Sequence, residues 1–178
     1  MSYQDLLVYR LATTIYDGTV EFCRRFIHSP RQKDQMEQAA RSGKQNIVEG
    51  CLPKSYESCL KLIGVARGSF GELLEDYRDF LRQRGLPVWE KNDQRVLKIR
   101  AFRESVEKPT NLYNLANWSN LNLRKPEDFA NLMICLIYKE TFLVDRLLRV
   151  TEEKFVREGG FRENLFKKRR EFKKSKSG

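Results

Sequence analysis

Apolar residues recur every three or four positions through most of this chain, which is the period of one face of an α-helix. The first such face predicts a helix over about residues 3–28. A second helix is predicted from Pro30, because Ser29 can cap its start and Pro suits the first helical position. Its predicted end is Glu49–Gly50, since Gly can adopt the left-handed conformation that closes a helix.

The strongest apolar period lies in the middle of the chain. It predicts a third helix from Ser55 to about Gly85. A weaker pattern predicts a shorter helix over residues 89–106. The stretch 107–125 is rich in Asn and has no period, so it predicts a long loop, and loops of that length are often functional or mobile.

The last long apolar face begins at Pro126 and is broken by Gly159–Gly160. No strand-like alternation competes with these helical patterns. The sequence therefore predicts an all-α fold, an antiparallel four-helix bundle with a loop-bearing insertion at about 87–125 and a basic helical tail. The predicted domain division is a bundle over 1–153 and a tail over 154–178.

Basic charge is concentrated at the end of the sequence. The formal net charge is +10, and 33% of residues are charged. Residues 1–85 carry 13 Lys/Arg against 11 Asp/Glu, residues 86–153 carry 11 against 10, and residues 154–178 carry 10 against 3. Such a tail favours a polyanionic partner, with a solubilising role as the alternative.

A phosphate-binding loop is excluded by spacing. The motif needs Gly-x-x-x-x-Gly-Lys-Ser/Thr between a strand and a helix. Here Gly43–Lys44 is followed by Gln45, Gln38 replaces the first Gly, and the pair lies within a predicted helix.

Metal and catalytic chemistry have little support in the sequence. The four cysteines form no Cys-x-x-Cys pair and the chain has one histidine, so no metal or other cofactor is expected. Buried, reduced thiols are expected instead. Glu49 as a general base, or Cys51 as a nucleophile, is the weak enzymatic alternative. The favoured interpretation is structural, with Asn46 and Glu49 bonding the turn and the start of the third helix.

No apolar run approaches the roughly 20 residues that a membrane-spanning helix needs. The first 30 residues also lack the continuous apolar core of a signal peptide. A cytoplasmic protein with no membrane partner is therefore expected.

The candidate nucleic-acid contacts are basic residues outside the apolar faces, because neutralised phosphates give sequence-independent affinity. In the first two helices and the following turn they are Arg24, Arg25, Arg31, Lys33, Arg41, Lys44 and Lys54. In the tail they are Lys167, Lys168, Arg169, Arg170, Lys173 and Lys174. The alternatives are a solvated charged face and, for the tail aromatics, docking of the tail onto the bundle.

Three stretches, ARSGKQNIVEG, KSYES and GVARGSFGELLEDY, carry a resemblance to a known family. They resemble the bacterial four-helix-bundle family of 23S rRNA intervening-sequence proteins. The matching positions include Asn46, Glu49, Gly50 and Ser55, with Val48 where that family usually has Ala. The segment MICLIYKETFLVDRLLRVTEEKFVREGGFRENL looks like the C-terminal suffix of a subgroup of these bundles.

This resemblance implies a small helical bundle without catalytic residues. The family is related to the accessory variability determinant of diversity-generating retroelements, which forms a pentameric barrel and binds nucleic acid and a reverse transcriptase. It therefore implies a homo-oligomer, with a pentamer as one form, that binds RNA or DNA and assists a reverse transcriptase or an RNA–protein complex. The alternative is a protein-interaction scaffold that does not bind nucleic acid.

Overall fold

The computed structural model describes residues 6–52, 55–102 and 111–176. Within these ranges all regular structure is helical and no strand occurs, which confirms the predicted all-α class. The helices are α1 (Leu7–Phe26), α2 (Pro30–Cys51), α3 (Tyr56–Gln83), α4 (Gln94–Ala101), α5 (Leu112–Ser119), α6 (Pro126–Glu158) and α7 (Phe161–Ser175).

The starts of α2 and α3 are set by capping serines. The Ser29 hydroxyl accepts a hydrogen bond from the backbone N–H of Gln32 at 3.4 Å. The Ser55 hydroxyl does the same for the N–H of Ser58, also at 3.4 Å. Each cap satisfies one of the amides that lack a partner in the first turn of a helix. Both predicted helix starts are confirmed.

The core lies between the long helices α1, α2, α3 and α6. Helix α1 packs against α2 and α6, α3 packs against the same two helices, and α4 packs against α5 and α6. Phe22 of α1 meets Tyr77 and Phe80 of α3 at ring-centroid distances of 4.9 and 4.8 Å, and Phe129 of α6 at 5.4 Å, all edge to face. This aromatic cluster joins three of the long helices.

The predicted role of Gly50 as a left-handed helix end is wrong. Gly50 lies inside α2, which continues to Cys51, and it has no positive φ. A Cβ atom at this position would lie 2.7 Å from Cδ1 of Ile63 on α3. Glycine is therefore needed here for the close approach of two helices.

The predicted loop over 107–125 contains the helix Leu112–Ser119. Two of its asparagines form the ends of that helix. The Asn111 side chain accepts from the N–H of Asn114 at 2.9 Å, and Asn120 ends the helix with φ 57°. Both positions favour asparagine. Its short side-chain amide can cap the start of a helix, and its backbone tolerates the left-handed conformation at the end.

The predicted helix over 89–106 is shorter in the structure, where α4 covers Gln94–Ala101. Asp93 starts it by accepting from the N–H of Arg95 at 2.8 Å. Trp89 lies before the helix, and its backbone N–H donates instead to Oδ1 of Asn131 on α6 at 2.8 Å. Residues 103–106 of the prediction lie outside the described residues.

Candidate nucleic-acid interface

The junction between α6 and α7 is a fixed turn. Helix α6 runs through residue 153 without a break and ends at Gly159, which has φ 76°. The N–H of Gly160 donates to the Glu163 carboxylate at 3.1 Å and so starts α7. The Asn164 amide nitrogen donates to the carbonyl oxygen of Glu158 at 3.1 Å. The Gly–Gly break expected from the sequence is confirmed.

This junction is attached to the start of α3. The Tyr56 hydroxyl donates a short hydrogen bond to the carboxylate of Glu158. Gly160 is buried against the carboxylate of Glu57, so close that a Cβ atom at position 160 would clash with it. Sequence reasoning missed this attachment, because its two sides are 102 residues apart and no local pattern connects them.

Ser55 both caps α3 and orients Glu57. Its hydroxyl donates to Oε2 of Glu57 at 2.6 Å, and this bond is the main cause that lowers the pKa of that carboxyl. The backbone amide of Phe161 and the charge of Arg162 lower the pKa further. An ionised Glu57 therefore lies next to the first turn of α7, where a negative charge is favoured by the helix dipole.

Beyond its first turn α7 is an exposed cationic helix. None of its residues is buried, and it carries seven Lys/Arg against two Glu. Five of the predicted tail contacts have no carboxylate within 4 Å in the described part of the chain: Lys167, Lys168, Arg169, Arg170 and Lys174. Lys173, the sixth, is also exposed. The five unpaired side chains are available to an external anion.

Arg24 and Arg25, by contrast, are engaged inside α1. Both donate to the Glu21 carboxylate, Arg24 Nε at 2.8 Å and Arg25 Nε at 2.6 Å. The hydrogen bond from Arg24 is the largest cause that lowers the pKa of Glu21 to about 2. Arg25 also donates to the carbonyl oxygen of Leu123 at 3.3 Å. Much of the charge of this pair is thus balanced within the molecule.

Lys33 and Lys44 also have internal contacts. The Lys33 ammonium lies 3.8 Å from the Glu37 carboxylate, one helical turn away. The Lys44 ammonium lies 4.3 Å from the centroid of the Tyr16 ring, a cation–π contact between α2 and α1. Both side chains are half-buried.

Arg31 and Arg41 are the two remaining predicted contacts on α2. Both are exposed and neither has a carboxylate within 4 Å among the residues that the structure describes. Lys54 lies outside the described residues. The predicted cations therefore form two unequal groups, five unpaired residues on α7 and two isolated, exposed residues on α2.

The positions that carry the family resemblance serve the contact between α2 and α3. The Asn46 amide donates to the Ser42 carbonyl oxygen at 2.9 Å, and the hydroxyls of Ser42 and Ser69 are 2.9 Å apart across the two helices. Asn46 thus bonds back along α2 instead of to the following turn. Residues 53 and 54 of that turn, the predicted partners of Asn46 and Glu49, lie outside the described residues. Glu49 is exposed and makes no hydrogen bond in the described structure.

A cleft of about 760 Å³ lies between α4 and α6, with Trp89, Cys135 and Tyr138 among its lining residues. Burial raises the pKa of the Cys135 thiol to about 11. A thiol with that pKa is protonated at neutral pH and is a poor nucleophile. The cleft therefore lacks the activated nucleophile that a cysteine enzyme needs.

All four cysteines are free. Cys23 is buried as expected, whereas Cys51, Cys59 and Cys135 are half-buried. Within the described residues no three His, Cys, Asp or Glu side chains come close enough to hold a metal ion. None of the described helices is long and apolar enough to cross a membrane.

Comparison of the chain with known protein families, curated proteins and solved structures returns no match.

Proposed function

We propose that this chain is a non-enzymatic nucleic-acid-binding accessory protein whose main contact with the phosphate backbone is α7. The observation that carries the proposal is the set of five unpaired cations on a helix without a buried residue. Phosphate contacts by Lys and Arg supply most sequence-independent affinity for RNA and DNA. An exposed cation without an internal carboxylate keeps its full charge for such a contact.

The secondary contact surface is α2 around Arg31 and Arg41, where two further cations are exposed. The engaged residues Arg24, Arg25 and Lys33 contribute less, because binding a phosphate would compete with an existing ion pair.

The four long helices form an antiparallel bundle of the 23S rRNA intervening-sequence family in this proposal, with α4 and α5 as its insertion and α7 as its suffix. The closeness of Phe22 to Phe129, and of Gly18 to Met133, supports opposite directions for α1 and α6. Several copies assemble through the bundle, with a pentamer as the family precedent. The accessory protein assists a reverse transcriptase or an RNA–protein complex.

A second candidate function is a protein-interaction scaffold without affinity for nucleic acid. One observation favours it: Phe142 of α6 exposes 67% of its surface, and Tyr138, one helical turn away, exposes 45%. Exposed apolar side chains on one helix face are typical of protein contacts. The same surface serves assembly of identical copies in the first proposal.

The test is fluorescence anisotropy of a labelled oligonucleotide with the full chain across a salt series. The α7 variant combines Lys167→Gln, Lys168→Gln, Arg169→Gln and Arg170→Gln. We expect weaker binding and a shallower dependence of log K on log salt, by up to about 0.9 per lost phosphate contact on duplex and about 0.7 on a single strand.

The matched control removes four cations from α2, by Arg31→Gln, Lys33→Gln, Arg41→Gln and Lys44→Gln. We expect a smaller loss than in the α7 variant. A larger loss in the control would move the interface to α2. If the unaltered chain does not bind at low salt, the scaffold remains as the candidate function. A partner protein recovered from nuclease-treated lysate would then support it.

A further inference from the structure

Four large apolar side chains of α7 are exposed. Phe161, Leu165, Phe166 and Phe172 expose 48, 55, 65 and 60% of their surfaces. None of them is buried by the described part of the chain, so the alternative in which these aromatics dock the tail onto the bundle has no support there. A helix with seven Lys/Arg needs no exposed aromatic rings for solubility. The rings are therefore available for a contact outside the described part of the chain.

The arrangement of these side chains does not suit a membrane surface. At about 100° per residue, Phe161, Leu165 and Phe172 fall within about 40° of one another around the helix. Lys168 and Arg169 border this strip, about 20° beyond Phe161 and about 40° beyond Leu165. Phe166 lies outside the strip, about 60° beyond Arg169. Helices that bury one face usually present an apolar stripe of about 100° or more. A strip this narrow, with cations on both sides, leaves little apolar surface for a bilayer.

The spacing of the rings along the helix favours a single strand over a duplex as the ligand. Phe161, Phe166 and Phe172 are five and six residues apart, or about 7.5 and 9 Å along the axis at a rise of 1.5 Å per residue. Nucleotides in one strand of a duplex are about 3.4 Å apart. Bases that stack on two of these rings must therefore separate from each other. A single strand does this readily, whereas a duplex must be unstacked.

Cations lie next to each ring. Arg169 and Arg170 follow Phe166 by three and four residues, and Lys168 and Arg169 precede Phe172 by four and three, the spacings that bring side chains together on a helix. The ammonium of Lys176 lies 4.9 Å from the centroid of the Phe172 ring. A ring for the base and a neighbouring cation for its phosphate is the combination that single-strand-binding proteins use.

We infer that α7 binds single-stranded nucleic acid, with bases stacked on the rings of Phe166 and Phe172 and phosphates on Lys168, Arg169 and Arg170, the cations within one helical turn of those rings. The inference rests on the proposed function and deepens it, because it names the form of nucleic acid and adds ring contacts to charge contacts.

The experiment measures anisotropy with a single-stranded oligonucleotide and with the duplex of the same sequence. The variant Phe166→Leu/Phe172→Leu keeps the charge and apolar character of α7 and removes two rings. The control Leu165→Ala removes exposed apolar surface but no ring. Since no side chain of α7 is buried, these changes leave the core intact, and circular dichroism checks the helix content.

We expect the unaltered chain to bind the single strand more tightly than the duplex. The double Leu variant should lose roughly 5- to 150-fold on the single strand, in the range measured for one stacked base. Its duplex affinity and its salt dependence should stay unchanged, and Leu165→Ala should bind as the unaltered chain does.

Equal loss on single strand and duplex, or no loss on either, would overturn the inference while leaving the proposed function in place. Binding to vesicles with anionic lipid that is lost in the double Leu variant, with single-strand binding unchanged, would also overturn it and assign the rings to a membrane surface. No binding of either oligonucleotide by the unaltered chain at low salt would overturn the proposed function itself.

Discussion

Gly43 of α2 lies directly against the ring of Phe70 of α3. A Cβ atom at position 43 would come within 2.7 Å of Cζ and within 2.9 Å of both Cε atoms. The Phe70 ring is fully buried, so surrounding side chains limit how far it can move. The contact between α2 and α3 therefore depends on the absence of a side chain at this position.

Gly43→Ala should destabilise the fold by about 1–3 kcal/mol, because the added methyl overpacks a buried aromatic ring. The measurement is urea unfolding followed by circular dichroism. Gly68→Ala is the matched control, since a Cβ at Gly68 of α3 meets nothing within 4 Å. That change should stabilise the chain by about 0.5–1 kcal/mol, the usual advantage of Ala over Gly within a helix. Equal effects of the two substitutions would contradict the close approach at Gly43.

Glu140 is a buried carboxyl in the apolar face of α6. It is fully buried, and neither carboxylate oxygen has a hydrogen-bond partner in the described structure. Burial raises the pKa of Glu140 well above its ordinary value. In the unfolded chain the same carboxyl has its ordinary pKa of about 4.3. Above that pH the folded state holds a proton that the unfolded state has released, so Glu140 lowers the stability of the fold progressively as the pH rises.

Glu140→Met should therefore raise the free energy of unfolding at neutral pH, by about 1–3 kcal/mol for removing an unsatisfied buried polar group. The gain should be larger at pH 8 than at pH 4, and unfolding curves at both values measure it. Glu153→Met, at an exposed position of the same helix, should change stability by less than about 0.5 kcal/mol. A loss of stability in Glu140→Met would show that the carboxyl has a polar partner.

The helix starts were predictable because they depend on local chemistry. Features that depend on contacts between distant residues were not predictable. Ser29 and Ser55 cap helices through residues three positions away, which a short stretch of sequence contains. Glycine is needed at position 50 because Ile63 of another helix approaches it closely, and no local pattern indicates that contact. The asparagines of 107–125 indicate a loop by composition, although two of them are caps of a short helix.

The candidate site was predictable in its charge and less so in its pairing. The excess of Lys and Arg after residue 154 identified α7 from composition. The ion pairs of Arg24 and Arg25 with Glu21 follow from a spacing of three and four residues, so the sequence contained that signal. The hydrogen bond between Tyr56 and Glu158, which positions α7, joins residues far apart in the sequence and was not predictable without the fold.

Cys23 should be the least reactive thiol of the folded chain. It is fully buried beside Met36, with its sulfur 3.9 Å from the Met36 sulfur, and burial raises its pKa to about 12. The thiolate is the reactive form, so both access and ionisation are limited. Alkylation at pH 8 followed by mass spectrometry should label Cys51 and Cys59 before Cys23. In denaturant all four thiols should react at similar rates. Early labelling of native Cys23 would contradict its burial.

Assembly through the exposed face of α6 predicts a solution mass that is a multiple of the 21.1 kDa chain. Light scattering coupled to size exclusion at micromolar concentration measures it. Phe142→Asp places a charge on the most exposed aromatic of this face and should reduce the mass, because burying an unpaired charge in an interface is costly. Leu52→Asp is the control, an exposed apolar residue at the C-terminal end of α2, and should leave the mass unchanged. A mass of one chain for the unaltered protein would exclude the oligomer but not nucleic-acid binding by α7, because its cations and rings belong to a single copy.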